Sequence, residues 1–152
     1  HMSVVEDKLK QMGLTLPPPP APIGTYVPWV RTGNLLFLSG AGPGSDAPKG
    51  KLGKDLTVEQ GYEAARSVAL AQLAKLKDAL GDLDKVKRVV KLLSMVNATP
   101  DFTRPPDVAN GCSDLLVELF GDRGRHARSA VGMNALPGNI SVEIEMIVEV
   151  ED

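Results

Sequence analysis

Few side chains in this sequence have both the type and the setting for chemistry. Arg128 opens the alternating run Arg128-Ser129-Ala130-Val131-Gly132-Met133, and a guanidinium fixed at the start of a strand can grip a carboxylate through two parallel N–H bonds. Arg123, Arg125 and His126 complete a small basic cluster with it, and Arg123 and Arg125 read as a solvated loop. A Ser-His-Asp triad would need His126, and nothing in the spacing favours one over a surface histidine. Cys112 falls on the apolar stripe of a helix and reads as inert core. Gly40-Ala41-Gly42-Pro43-Gly44 lacks the G-x-G-x-x-G pattern, and Gly50-Lys51 is followed by Leu52, so no phosphate loop is spelled out. Phe37 precedes Leu38-Ser39-Gly40 where a nucleophile elbow needs glycine.

Composition narrows the functional classes. The 152 residues fit one domain. Hydrophobic residues at 43% and charged residues at 24% describe a globular chain rather than a disordered one. Lys plus Arg is 17 against 19 Asp plus Glu, a net charge of -2 and a pI near 5.7. Such a chain has no global attraction to a polyanion, and 4% aromatics leave little for base stacking. Nucleic acid is therefore not an expected partner. His1 belongs with Met2 to an expected cloning remnant, residues 1–2. One further histidine and one cysteine cannot supply a Cys/His zinc site. The single thiol points to a reducing, cytoplasmic setting. No run is apolar and long enough to span a membrane, and no signal peptide is expected.

The elements that must carry these residues follow from periodicity. Ser3-Val4-Val5-Glu6 has capping-box form and predicts a short helix to about Gln11, ended by Gly13. Pro17 to Pro20 then form an extended arm laid over the domain. Residues 3–20 are thus a helix and proline-rich arm, and residues 21–152 the main domain. Tyr26 to Val30 and Leu35 to Ser39, separated by Thr32-Gly33-Asn34, predict a hairpin. A long glycine-rich loop runs on to Lys54. Thr57 to Gln60 is a second capping box. It opens a helix striped by Val58, Tyr62, Ala65, Ala69, Leu73, Leu76 and Leu80, stopped at Gly81. Val86 to Val96 reads as a strand covered on both faces. Pro105-Pro106 begins a second amphipathic helix that ends at Gly121.

The last two runs alternate. Val142, Ile144, Met146, Val148 and Val150 take one side, and Ser141, Glu143, Glu145, Ile147 and Glu149 the other. A closing hairpin centred between Pro137 and Gly138 would set Val142 against Met133, Ile144 against Val131 and Met146 against Ser129. Two helices would cover that side of a mixed sheet in an α+β domain. The other face would carry Arg128, Ala130, Gly132, Glu143, Glu145 and Ile147. In that register Arg128 faces Ile147, about 13 Å along the strand from Glu143. The two would cooperate across a wide pocket, through a bulge, or with a neighbouring chain closing the site.

Five stretches taken together resemble one family: Ile23-Gly24-Thr25-Tyr26-Val27, Gly33-Asn34-Leu35-Leu36-Phe37-Leu38-Ser39-Gly40, Ala127-Arg128-Ser129-Ala130-Val131, Leu136-Pro137 and Val142-Glu143-Ile144-Glu145. In order and separation they are similar to the RidA/YjgF family of reactive-intermediate deaminases. The resemblance implies a chorismate-mutase-like fold and a homotrimer with sites in the clefts between subunits. It implies hydrolysis of enamines and imines (2-aminoacrylate and related 2-iminoacids) to 2-oxo acids and ammonia, with no metal or organic cofactor. It matches Arg128 to the carboxylate-binding arginine and Glu143 to the acid that positions water or transfers a proton. Tyr26, Ser39 and Gly40 match residues lining the site, and the Gly40 N–H is placed to help hold the carboxylate. Ala130 stands where many bacterial members have cysteine, and Ala41 where glutamine is common, which marks a divergent branch. Two other readings accompany this one: a non-catalytic trimer binding small carboxylates, and an RNA-cleaving protein, the reading that composition supports least.

Overall fold

Alternation in the last third of the chain builds a sheet with one covered face, and that face sets the position of everything else. The computed structural model describes residues 3–152; the expected remnant His1-Met2 lies outside the described residues. β1 (Trp29–Thr32) and β2 (Leu35–Ala41) form the expected hairpin, with Thr32 opposite Leu35. Gly33 turns it at φ 56°, a left-handed backbone that glycine adopts without a Cβ clash. The first strand begins at Trp29 rather than Tyr26, just past Pro28, which has no N–H for a ladder.

The helices start and stop where their sequence signals stand. α2 (Val58–Leu80) carries a complete capping box: Thr57 Oγ1 accepts from the Gln60 N–H at 3.1 Å, and Gln60 Oε1 accepts from the Thr57 N–H at 2.9 Å. It ends at Gly81, φ 80°. α3 (Pro105–Phe120) opens on its two prolines, whose missing N–H groups would have no helical acceptor there anyway. α1 (Val4–Gln11) is capped differently from expectation. Ser3 Oγ accepts from the Glu6 N–H at 3.2 Å, but Glu6 bonds Lys77 and the Leu83 N–H instead of closing a box on Ser3. Asp84 completes the cap from a distant turn. Its Oδ1 accepts from the Ser3 hydroxyl at 2.8 Å and the Val5 N–H at 3.0 Å, and its Oδ2 from the Val4 N–H at 2.8 Å. Val5 and Leu9 are thereby pinned into the core.

The sheet has the order β1-β2-β5-β3-β4, with β3 (Val86–Asn97), β4 (Ala127–Met133) and β5 (Val142–Val150). β5 runs antiparallel to β2 and β3, and β4 runs parallel to β3. The chain is therefore a mixed α+β domain, as expected, with α2 and α3 over the face that carries Val142, Ile144, Met146 and Val148. No helix among the described residues is long and apolar enough to cross a membrane.

The closing hairpin is a correction. β4 and β5 do not pair, because β3 lies between them. β3 is the longest strand at 12 residues, and in this order both its edges find ladder partners. The connection from β4 to β5 straddles its end: the Asn97 N–H donates to the Ser141 carbonyl at 2.9 Å, and Asn97 Nδ2 to the Ile140 carbonyl at 3.0 Å. Any period-two strand matches any other, so alternation could not exclude an intervening strand. The face of β4 is corrected with it. Arg128 aligns with buried Leu92 and Ala130 with buried Ser94, so Arg128, Ala130 and Gly132 lie on the helix side and Ser129, Val131 and Met133 on the open side. Small residues sit beneath the helix layer where hydrophobicity alone would have placed large ones.

The expectation that β3 is covered on both faces is corrected as well. Within the chain only the helix face is covered. On the open face Leu93, Met95 and Ile147 are half-buried, and Phe37 and Val131 remain 40% and 42% exposed.

Candidate functional site

The register of β2 on β5 slips by one residue at Ser39-Gly40. Leu38 stands opposite Met146 and Ala41 opposite Ile144, so the two residues between oppose Glu145 alone. Such a bulge breaks the ladder and re-aims the local backbone. Here it turns the Ser39 carbonyl toward α2, where Gln72 Nε2 donates to it at 3.0 Å and Lys75 Nζ at 2.9 Å. Gln72 also donates to the Ile144 carbonyl at 2.7 Å, tying both strands of the bulge to one helix. The Ser39 hydroxyl donates to the Val27 carbonyl at 2.7 Å, and its N–H to Pro28 at 3.0 Å. Ser39 therefore fastens the segment carrying Tyr26, whose hydroxyl accepts from the Ile23 N–H at 3.3 Å.

A cavity of about 550 Å³ opens at this bulge. Gly40, Glu143, Tyr26 and Ile140 line it, with Pro20 at the end of the arm and the adjoining Ala21 and Pro22 as an outer wall. Lys75 and Glu143 are its only charged lining residues among the described residues. Glu143 rests against Gly40: a Cβ at Gly40 would stand 3.0 Å from Glu143 Cδ and closer still to Oε2. Lys75 is 3% exposed. Burial pushes its ammonium below the ordinary lysine value, and the Glu143 charge partly opposes that.

Arg128 is elsewhere. Its place in the ladder is level with Leu92 and Met146, three residues along β5 from Glu143 and two strands across, a separation of about 14 Å between backbones. It also points to the opposite side of the sheet. Its Nη1 donates to Asn110 Oδ1 at 2.9 Å and Ser113 Oγ at 3.0 Å, both on α3. A carboxylate gripped in bidentate fashion would take the Nε–Nη2 edge. Ser113 Oγ also lies 2.9 Å from His126 Nε2, and His126 Nδ1 lies 2.6 Å from the Gly124 carbonyl. A carbonyl accepts only, so Nδ1 carries the proton and Nε2 accepts from Ser113. His126 is thus a half-buried support for Arg128's neighbour rather than a surface histidine. Burial pushes it below the ordinary value, the Gly124 bond opposes this, and the Arg128 charge adds to it. Arg123, read as solvated, donates to the Val86 carbonyl at 2.6 Å and lies over the Phe120 ring. Cys112 is fully buried, and burial pushes its thiol up to about 12, which makes it inert, as expected.

The structure thus divides the expected site residues into two groups. Tyr26, Ser39, Gly40 and Glu143 gather at the bulge; Arg128 and Ala130 lie on the edge strand β4. Sequence reasoning missed Gln72 and Lys75. Their signal was present in α2: residues 68, 72, 75 and 79 share one helical face, and Gln72 and Lys75 are its two polar members. Among the described residues no group of three or more His, Cys, Asp and Glu side chains could hold a metal ion.

Comparisons with known proteins identify the family. The family described as YjgF/chorismate mutase-like, which also carries an endoribonuclease label, matches residues 6–150. Protein TCP17 from Trypanosoma cruzi is 45% identical over 152 residues, covering 97% of this chain and 95% of its own. A 2-iminobutanoate/2-iminopropanoate deaminase from Dermatophagoides farinae is 30% identical over 91% of this chain and 95% of its own. The crystal structure of Atu1372 from Agrobacterium tumefaciens superposes with a TM-score of 0.91 at 44% identity, covering 97% of this chain and 93% of that one. The chain belongs to the RidA/YjgF family.

Proposed function

We propose that the protein hydrolyses 2-iminoacids and their enamine tautomers to 2-oxo acids and ammonia, at sites completed between subunits of a homotrimer. The observation that carries this reading is Glu143 resting on the Gly40 backbone inside a cavity whose one other charged lining residue, among the described residues, is Lys75. A small planar imine fits such a space. Glu143 positions water for attack on C2, and the Gly40 N–H and an arginine hold the substrate carboxylate. The relative named for 2-iminobutanoate and 2-iminopropanoate supports that substrate class.

The arginine is Arg128 of a neighbouring subunit. Within one chain it lies about 14 Å from Glu143 and on the other side of the sheet. On the edge strand β4 it is well placed to face another copy, and the half-buried apolar residues of the open sheet face favour such packing. Ala130, two residues along β4, would line the same cleft. No metal or organic cofactor enters this chemistry. With one buried thiol, Cys112, the protein suits a reducing cytoplasm. Residues 3–20 act as an arm on the domain formed by residues 21–152.

An amino-acid oxidase run with semicarbazide, which traps free imine, tests the reading. Wild type should suppress semicarbazone formation, and Arg128→Ala should fail to do so while sedimenting as the same oligomer. If wild type fails with every amino-acid side chain tried, the hydrolase reading is wrong. A rise in Tm with 2-oxo acids but no ammonia release would then identify a carboxylate-binding trimer. RNA cleavage ranks below both, since the cavity offers one lysine beside one glutamate rather than a basic track.

A further inference from the structure

The cavity at the bulge holds one carboxylate and one amine and is otherwise apolar or neutral on its walls. Solvent does not explain the presence of the amine: Lys75 is 3% exposed, far below what its long polar side chain ordinarily keeps. A buried ammonium is retained where its charge or its proton is used. One of its three N–H donors is spent on the Ser39 carbonyl, at 2.9 Å. That bond fixes the direction of the side chain, and the ammonium has two further protons for groups entering the cavity. The anchor is not needed for the bulge alone, because Gln72 already donates to the same carbonyl at 3.0 Å.

We propose that Lys75 is a catalytic residue of this cavity, the acid that delivers a proton to the substrate nitrogen while Glu143 takes one from water. The inference rests on the hydrolase reading above and assigns the second half of its proton transfer. The steps balance. Water loses a proton to the Glu143 carboxylate as its oxygen bonds C2. The C=N π pair moves to nitrogen, which takes a proton from Lys75, giving a neutral carbinolamine. In the collapse the hydroxyl proton returns to Lys75 and the Glu143 proton goes to nitrogen. The C–N bond breaks, ammonia and the 2-oxo acid leave, and both side chains regain their starting charge.

An amine that gives a proton to nitrogen and a carboxylate that takes one from water can do this within one cavity, without bulk solvent. Desolvation weakens the hold of Lys75 on its proton, which suits a donor. The groups that bear on it are few. Glu143 on β5 is the charge that acts on it, Tyr26 in the segment ahead of β1 is the other titratable lining residue, and β2 contributes no titratable side chain.

Lys75→Arg and Lys75→Met are the test, assayed beside wild type in the semicarbazide system from pH 6 to pH 10. Arginine keeps the charge and a donor for Ser39 but does not release a proton in this range. Lys75→Arg should keep the oligomer and the Tm rise with 2-oxo acid. Its kcat should fall by about 10²-fold, in line with loss of a general acid, and Lys75→Met should fall at least as far. Wild-type kcat should decline on the alkaline side below the ordinary lysine value, and Lys75→Arg should lack that limb. Retention of kcat and of the limb in Lys75→Arg overturns the proposal and leaves Lys75 as a prop for the bulge. If neither variant folds, a wild-type kcat flat to pH 10 overturns it equally. Inactivity of wild type on every imine instead sinks the hydrolase reading, and this step with it.

Discussion

Glu143 lies against the α-carbon of Gly40, across the bulge where β2 slips on β5. Because the obstructing group is the end of a side chain, Gly40→Ala should fold and displace the carboxylate rather than the backbone. The stability cost should be about 1–3 kcal/mol, that of mild overpacking. Imine hydrolysis should drop at least about tenfold from misplacement of a catalytic group. Chemical denaturation and the semicarbazide assay read the two effects separately.

Gly111 presents the opposite case. A Cβ there would run into the Tyr62 carbonyl, where α3 crosses α2, and backbone cannot swing aside. Gly111→Ala should cost about 3 kcal/mol or more, beyond ordinary overpacking, and expression or Tm should show it.

Asp84 caps α1 from outside the helix. Burial pushes its carboxyl up, but the Val5 and Val4 N–H groups, the Ser3 hydroxyl and the Arg123 charge together hold it below the ordinary aspartate value. A depressed carboxylate stabilises the fold fully above its unfolded pKa, about 3.9, and loses that contribution as pH falls through the lower folded value. Asp84→Ala should therefore cost about 1–2 kcal/mol at pH 7, the range of a lost N-cap. Urea melts of the two proteins should converge at the acid end.

His126 carries a pH dependence of its own. Its folded pKa is depressed, first by burial, so below about pH 6.5 the unfolded chain binds a proton that the folded chain resists. Stability is complete above that pH and declines as pH falls toward the folded value. His126→Gln should flatten this part of the stability–pH curve. A curve unchanged by the substitution would show that the histidine contributes nothing there.

The open sheet face gives an assembly prediction. Phe37 is 40% exposed and sits opposite Ile147. Phe37→Asp should leave the monomer folded, shift sedimentation toward smaller species and abolish imine hydrolysis. An intact, active oligomer would place the subunit contact on another surface.

The helices, the caps of α2 and α3 and the turn of the first hairpin were legible because each rests on local signals: Thr57 with Gln60, Gly81, the Pro105-Pro106 pair, Gly33 in its turn; the part of the α1 cap that Asp84 supplies was not, because it comes from a distant turn. Strand neighbours were not, because they depend on long-range choice. Nothing within residues 127–150 says that β3 will enter between β4 and β5. That choice also carried Arg128 to the helix side, where Asn110 and Ser113 receive it. Tyr26, Ser39, Gly40 and Glu143 were gathered by resemblance, and the bulge supplies the physical reason for their meeting. Lys75 escaped notice because an amphipathic helix is read for its apolar stripe, and a lysine beside that stripe looks like a solvated one until the neighbouring strand is in place.

Four consecutive prolines join the α1 anchor to the residues that wall the cavity. Each proline holds φ fixed, and an extended proline run advances about 3.1 Å per residue. The arm is thus a strut of set length, fastened at one end by Asp84 and ending at the other on the mouth of the cavity. Lengthening or shortening the proline run should therefore shift the wall at Pro20 to Pro22 without altering a residue of the sheet or its helices.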